Sequence, residues 1–294
     1  MPAAGISSFA SDKAQTRFAR AYEDLRLRRW PADAVAVDVP TSFGVTRAYQ
    51  TGGEGIPFVL LPGAGGNALS WLHYMSRLAA TRPVIAIDPV GEPGRSVQEK
   101  PLYNGRDWAD WLDGALTALG VERAHLVGVS YGGWIALQYN LHLPGRAETI
   151  TLLDPAGFGR VSGRFLAWIM LGGLAAFSPA PFRRLAARVL RNATLLEDDL
   201  MRLLRASTAF RRRHLNPPEL TDEELGRVTA PTLALLGERS QMYDAQSVAT
   251  RIRAQIPGAR AETVPEAGHD LPVRCPDLVS DRTIQFTAAT ETRG

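Results

Sequence analysis

Short apolar runs alternate along this chain with longer stretches whose apolar residues recur at helical spacing. Residues 57–61, 84–87, 124–129 and 149–153 are brief and almost continuously apolar, the pattern of strands buried on both faces. Residues 232–236 and 261–264 repeat it late in the chain, while 34–39 and 45–49 alternate in the manner of edge strands. Helical spacing fills the gaps at 70–80, 107–119, 132–143 and 245–255. In the second of these, Trp108, Trp111, Leu112 and Leu116 share one face. Alternation of this kind predicts an α/β fold, an open and mostly parallel sheet with helices on both faces.

One region breaks the rhythm. Residues 158–226 carry no strand signal, only helical stretches at 165–177, 182–190 and 197–210, punctuated by Pro179, Pro181, Pro217 and Pro218. Thr221-Asp222-Glu223-Glu224 reads as a capping box for a short last helix. Helices inserted between two strands of a parallel sheet can cover the carboxyl ends of the strands, where such sheets place their sites. The expected organisation is a tail and helix over 1–33, a core built from 34–157 and 227–294, and a helical lid over 158–226.

Composition narrows the function classes. The chain has 294 residues, 45% apolar and 21% charged, enough for one large domain carrying an insertion. Lys+Arg is 33 against 30 Asp+Glu, and a net charge of +3 gives no reason to expect a nucleic-acid partner. Cys275 is the single cysteine, and no zinc-ligand spacing occurs, so neither a disulfide nor a metal nor another cofactor is expected. Residues 1–30 hold no signal-peptide core, and the most apolar run, 165–177, is shorter than the ~18–20 residues a bilayer span needs. A cytoplasmic protein with no membrane span is the expectation.

The strongest motif is Gly128-Val129-Ser130-Tyr131-Gly132, after a buried strand and before a helix. That context is the one a G-x-S-x-G nucleophile elbow requires. A nucleophile must stand clear of the sheet in a strained turn, and flanking glycines let strand and helix cross closely. The Tyr131 N–H, at the helix start, then points toward a developing oxyanion. An inert serine in a glycine-bounded turn is the alternative. Of the five histidines, His125 lies inside a buried strand, His73 and His142 lie on helices, and His214 follows Arg211-Arg212-Arg213 in the lid, where solvation is expected. His269 differs, since Pro265-Glu266-Ala267-Gly268-His269-Asp270 forms a loop just after the last strand. From there an imidazole can reach Ser130 and take its proton.

Four segments occur in order: Leu61-Pro62-Gly63-Ala64-Gly65-Gly66, Asp88-Pro89-Val90-Gly91-Glu92-Pro93-Gly94-Arg95-Ser96, Gly128-Val129-Ser130-Tyr131-Gly132-Gly133 and Ala267-Gly268-His269-Asp270-Leu271-Pro272. Together they resemble the α/β-hydrolase superfamily. The resemblance implies an eight-stranded, mostly parallel core, a helical cap after the sixth strand, and a Ser–His–acid triad acting on an ester-like carbonyl. It also implies that Ala64 supplies the second oxyanion-hole N–H, beside Tyr131. The chain departs from the family pattern twice. The loop after the third strand begins Pro62-Gly63 rather than His-Gly, which loses a histidine that often braces it. Gly237-Glu238-Arg239-Ser240 puts a serine where the family's aspartate usually stands.

Three carboxylates compete for the acid. Asp154 ends the sixth strand 24 residues after Ser130 (154 − 130), a spacing similar to that of family members that draw their acid from this strand. Asp244 follows Ser240 by four, where capping a helix is the plainer role, and Glu238 directly follows Gly237. Asp154 is preferred and Asp244 kept as the alternative.

A different class of function also fits one segment. Gly63-Ala64-Gly65-Gly66-Asn67-Ala68, with Asp88 twenty residues beyond Ala68 (88 − 68), has the form of a dinucleotide fingerprint. An NAD(P)-dependent reductase would use it, but would leave Ser130 and His269 unexplained. Non-hydrolytic lyase or cyclase chemistry on the same fold is the other alternative. The preferred expectation is a serine carboxylesterase-type enzyme taking a small-molecule ester or acyl substrate, with Trp168, Met170 and Phe177 of the lid offering an apolar pocket.

Overall fold

The computed structural model describes residues 5–159, 162–214 and 216–292, so residues 1–4 of the expected tail and residues 160, 161 and 215 of the expected lid lie outside it. The described chain opens with β1 (Ser8–Phe9) and α1 (Asp12–Arg29). Alternation follows: β2 (Val35–Thr41), β3 (Gly44–Gln50), β4 (Phe58–Leu61), a 3-10 turn Ala68–Trp71, α2 (Met75–Ala79), β5 (Val84–Ile87) and β6 (Val97–Gln98). Next come α3 (Gly105–Ala118), β7 (Ala124–Val129), α4 (Tyr131–His142) and β8 (Ala147–Leu153). The insertion holds α5 (Gly163–Ala176), α6 (Ala180–Leu190), a 3-10 turn Ala193–Leu196, α7 (Asp198–Ser207), β9 (Phe210–Arg211) and α8 (Asp222–Gly226). The chain closes with β10 (Thr232–Gly237), α9 (Ala245–Gln255), β11 (Arg260–Val264), α10 (Leu271–Arg274) and α11 (Pro276–Glu291).

The eight expected strands form one continuous sheet in the order β11-β10-β8-β7-β4-β5-β3-β2, with β6 paired to β3 as a ninth. Strands β4, β5, β7, β8, β10 and β11 pair in parallel, and β2, β3 and β6 pair antiparallel at one edge. The continuous apolar runs are explained by the two cores they separate. In β4, Val59 and Leu61 face a layer with Trp108, Trp111 and Ile135 of α3 and α4. Phe58 and Leu60 face the opposite layer, with Tyr22 of α1, Trp71 and Phe286 of α11.

The insertion between β8 and β10 packs its helices on a small cluster of Ala176, Ala187, Leu195 and Met201. It is not strandless: β9 pairs antiparallel with β1, through Ser8↔Arg211 and Phe9↔Phe210. Two residues are too short to show a period of two. Arg28 and Arg29 of α1 also reach Asp199 of α7, at 2.9 and 3.1 Å. The N-terminal segment therefore braces the insertion from outside the sheet.

Candidate active site

The turn from β7 into α4 holds Ser130 at φ 49° and ψ −110°, a conformation L-residues rarely adopt. A Cβ on Gly128 would overlap the Gly132 carbonyl, and one on Gly132 would overlap the Leu61 carbonyl. Glycine is required at both positions because strand and helix cross at backbone contact. The strain is over-determined by hydrogen bonds: Ser130 N–H donates to the Leu153 carbonyl at 3.0 Å, and the Ser130 carbonyl accepts from Ala156 N–H at 3.0 Å. Both ends of that clamp belong to β8 and the turn after it.

The same turn supplies Asp154, at φ 44° and fully buried. Its Oδ2 lies 2.6 Å from His269 Nδ1 and accepts from Ser240 Oγ–H at 2.7 Å. Its Oδ1 accepts from Gly237 N–H at 3.2 Å. A buried carboxylate needs its lone pairs occupied, and here three donors occupy them. Ser240, the departure from the family pattern, thus supports the Asp154 carboxylate at the end of the neighbouring strand, and its Oγ also accepts from Met242 N–H at 3.2 Å. Asp244, the alternative acid, instead caps α9, accepting from Ser247 N–H at 2.8 Å, and the Ser247 hydroxyl together with that N–H holds its carboxyl below the usual range. Glu238 is exposed and accepts from Glu266 N–H at 3.0 Å.

The His269 loop is fastened on two sides. His269 N–H donates to Gln241 Oε1 at 3.1 Å. The Asp270 carboxylate accepts from Gly268 N–H at 3.2 Å and from Ala193 N–H of the insertion at 2.6 Å. The rings of Phe165 and Trp168, both on α5, meet the imidazole edge-on at centroid distances of 4.9 and 6.1 Å.

The loop after β4 lies against the serine, since a Cβ on Gly63 would stand 3.5 Å from Ser130 Cβ. Gly66 N–H donates to the Gly63 carbonyl at 2.9 Å, closing a tight turn around Ala64. The bracing histidine is absent, and Glu92 does the bracing: its Oε2 accepts from Gly65 N–H at 2.9 Å. Glu92 Oε1 in turn lies 3.0 Å from His214 Nε2 and 3.4 Å from Arg212. His214 is therefore buried and paired rather than solvated, its ring stacked on Tyr131 at 5.2 Å with Nδ1 3.2 Å from the phenol oxygen. Tyr131 opens α4, where backbone N–H groups point out of the helix end.

Ser130, His269, Ala64, Phe165, Trp168 and Ile169 line one cavity of about 370 Å³. Met170 and Phe177 do not belong to the pocket expected of them; they are 67% and 59% exposed. Successive helical residues turn by about 100°, so the face presenting Phe165, Trp168 and Ile169 inward turns Met170 away. The dinucleotide reading fails on Asp88. This carboxylate is buried, accepts from Ala68 N–H (2.7 Å), Tyr22 O–H (2.9 Å) and Arg95 N–H (2.6 Å), and keeps no oxygen for a ribose. His125 is a satisfied core residue, with Nδ1 2.9 Å from Thr149 Oγ1. Among the described residues no cluster of side chains fits a metal ion. Ser240, Asp270 and Glu92 escaped sequence reasoning because each acts on a partner far along the chain.

Comparison with known proteins agrees with this architecture. A profile of the alpha/beta hydrolase family matches residues 58–282. The chain is 28% identical over 296 residues to carboxylesterase YbfK of Bacillus subtilis (strain 168), covering 95% of this chain and 96% of that protein. It is 27% identical over 279 residues to the uncharacterized carboxylesterase nap of the same organism, covering 92% of each. The crystal structure of naproxen esterase from Bacillus subtilis superposes with a TM-score of 0.83 at 25% identity, over 95% of this chain and 99% of that one. The chain belongs to the alpha/beta hydrolase family and is a hydrolase.

Proposed function

We propose that this hydrolase cleaves carboxylic esters through an acyl-enzyme, with Ser130 as nucleophile, His269 as general base and acid, and Asp154 as the orienting acid. The observation that carries the reading is the 2.6 Å Asp154–His269 contact beside a strained serine in the same cavity. Asp154 fixes the tautomer with a proton on Nδ1, leaving Nε2 to accept the Ser130 proton. As Ser130 Oγ bonds to the carbonyl carbon, the carbonyl oxygen gains charge, and the N–H groups of Ala64 and Tyr131 receive it. His269 then returns the proton to the departing alcohol. Water, deprotonated by the same imidazole, attacks the acyl-enzyme and releases the acid. Similarity to carboxylesterases over almost the whole chain supports this reading over lyase or cyclase chemistry. The helical insertion acts as a cap, with α5 closing the cavity over His269 and giving it an apolar wall for the acyl or alcohol group.

A fluorophosphonate probe and p-nitrophenyl esters of graded chain length test the proposal. Wild type is expected to be labelled at Ser130 and to turn the esters over. Ser130→Ala is expected to lose both, and undiminished hydrolysis by that variant would end the assignment.

A further inference from the structure

The inner face of α5 closes the cavity, and its outer face stands in solvent without a polar stripe. Among the described residues seventeen large hydrophobic side chains are exposed, and ten of them lie between 166 and 196. Leu166, Met170, Leu174 and Phe177 run along α5 at helical spacing, and Phe182, Leu185 and Val189 do so along α6. Both rows lie opposite the small cluster on which the two helices pack. An apolar surface of this extent marks an interaction site rather than ordinary scatter.

The charge on this face is one-sided. No Asp or Glu occurs between Asp154 and Glu197, whereas six arginines do. Arg183 is buried against the Leu195 carbonyl and Asp198, and Arg164 donates to the Ser240 carbonyl. Arg184, Arg188 and Arg191 remain exposed, with no ion-pair partner among the described residues. Their spacing places them in a row beside Phe182, Leu185 and Val189. A second copy of the chain would set this cationic face against itself, because a two-fold interface is self-complementary. An apolar stripe flanked by arginines instead fits an interface that is apolar inside and negatively charged outside.

We propose that the α5–α6 face docks on an anionic phospholipid bilayer. At about 21 Å, α5 lies on such a surface rather than across it, and no described helix is long and apolar enough to span a membrane. The apolar side chains enter the acyl region, and the arginines snorkel to the phosphates. Ile169, which lines the cavity and is also half exposed, then sits where the cavity meets the lipid. The docking does not depend on which reaction the site performs.

Co-sedimentation of the full chain with vesicles tests this. Binding is expected to vesicles of phosphatidylcholine mixed with phosphatidylglycerol, and to weaken with added salt. Each arginine near an anionic surface contributes about five-fold in affinity, so Arg184→Gln/Arg188→Gln/Arg191→Gln is expected to bind on the order of a hundred-fold more weakly. Leu174→Ser/Phe182→Ser is expected to lose at least about ten-fold, from the apolar burial it removes. Both variants alter exposed residues, so circular dichroism and turnover of soluble p-nitrophenyl acetate are expected to stay at wild-type values. Three results overturn the proposal: no binding, equal binding to phosphatidylcholine alone, or binding untouched by these substitutions. A dimer in sedimentation velocity that Leu174→Ser/Phe182→Ser dissolves also overturns it, by showing that a second copy covers the face.

Discussion

Replacing Asp154 by asparagine keeps its shape and changes one group from acceptor to donor. The carboxylate accepts from His269 and Ser240 at Oδ2 and from Gly237 N–H at Oδ1. An asparagine has two ways to sit there. With the amide nitrogen toward His269, the ring must turn its Nδ1 lone pair to the donor, and Nε2 then carries the proton it should accept. With the nitrogen toward Gly237, two N–H groups face each other in a dry pocket, at a cost of about 1–3 kcal/mol in stability. In either arrangement the negative charge opposite the forming imidazolium is gone. Loss of this interaction lowers turnover by about 10⁴-fold, which corresponds to about 5.5 kcal/mol of barrier. Substrate binding does not use Asp154, so KM is expected to stay within about two-fold. Steady-state kinetics on a p-nitrophenyl ester, with circular dichroism and urea melts on the same samples, measure each part. Asp244→Asn is the control, expected to keep full turnover because Asp244 only caps α9. Turnover of Asp154→Asn within ten-fold of wild type, or a large loss in Asp244→Asn, would refute the proposed role of Asp154.

Two further outcomes follow from buried polar groups. Glu92→Ala frees Gly65 N–H and removes the carboxylate beside His214, loosening the turn that presents Ala64; kcat is expected to fall about 10–100-fold with KM little changed, and a rise in KM at constant kcat would contradict the bracing role. His125 is held neutral, its pKa lowered from 6.5 to about 4 by burial and by Arg82. Between those values the unfolded chain binds the extra proton, so this contribution is present above pH 6.5 and is lost as pH falls toward 4, by about 3 kcal/mol at most. Burial raises Asp88 to about 6, which acts in the opposite sense over much of this range, present below its ordinary 3.8 and lost as pH rises through about 6. The wild type minus His125→Gln difference in urea stability at pH 7 and pH 4.5 isolates the histidine, and a difference independent of pH would contradict its neutral burial.

The sheet was legible because its strands are buried on two faces, and two-sided burial writes itself as an unbroken apolar run. Residues 57–61 and 232–236 are clear instances, and the structure has β4 and β10 there. Strands β6 and β9 were not legible, since two residues show no period and their pairing depends on distant chain. Ser130 and His269, the proposed nucleophile and base, stand out through local motifs, and Asp154, the proposed acid, through a spacing similar to that of family members. Ser240 looked like a defect because its hydrogen-bond partner lies 86 positions away. Likewise His214 looked solvated because its partner Glu92 lies 122 positions away, across the insertion. Met170 and Phe177 were placed on the wrong side for a different reason. Helix α5 is apolar around most of its circumference, so no polar stripe tells the inner face from the outer.

The positive-φ backbones of Ser130 and Asp154 lie in two turns joined by hydrogen bonds, and the roles proposed for these residues set stability against turnover there. Each holds a non-glycine backbone in a conformation costing on the order of 1–3 kcal/mol, and the tertiary hydrogen bonds around Leu153 and Ala156 keep it there. Glycine at 130 would adopt that geometry without strain while removing the hydroxyl. With Ser130 as the proposed nucleophile, laboratory evolution of this scaffold for heat resistance alone is expected to drift toward inert proteins. A selection that demands turnover at every round retains the serine, and thermal tolerance then has to accumulate in the sheet and outer helices, away from the elbow.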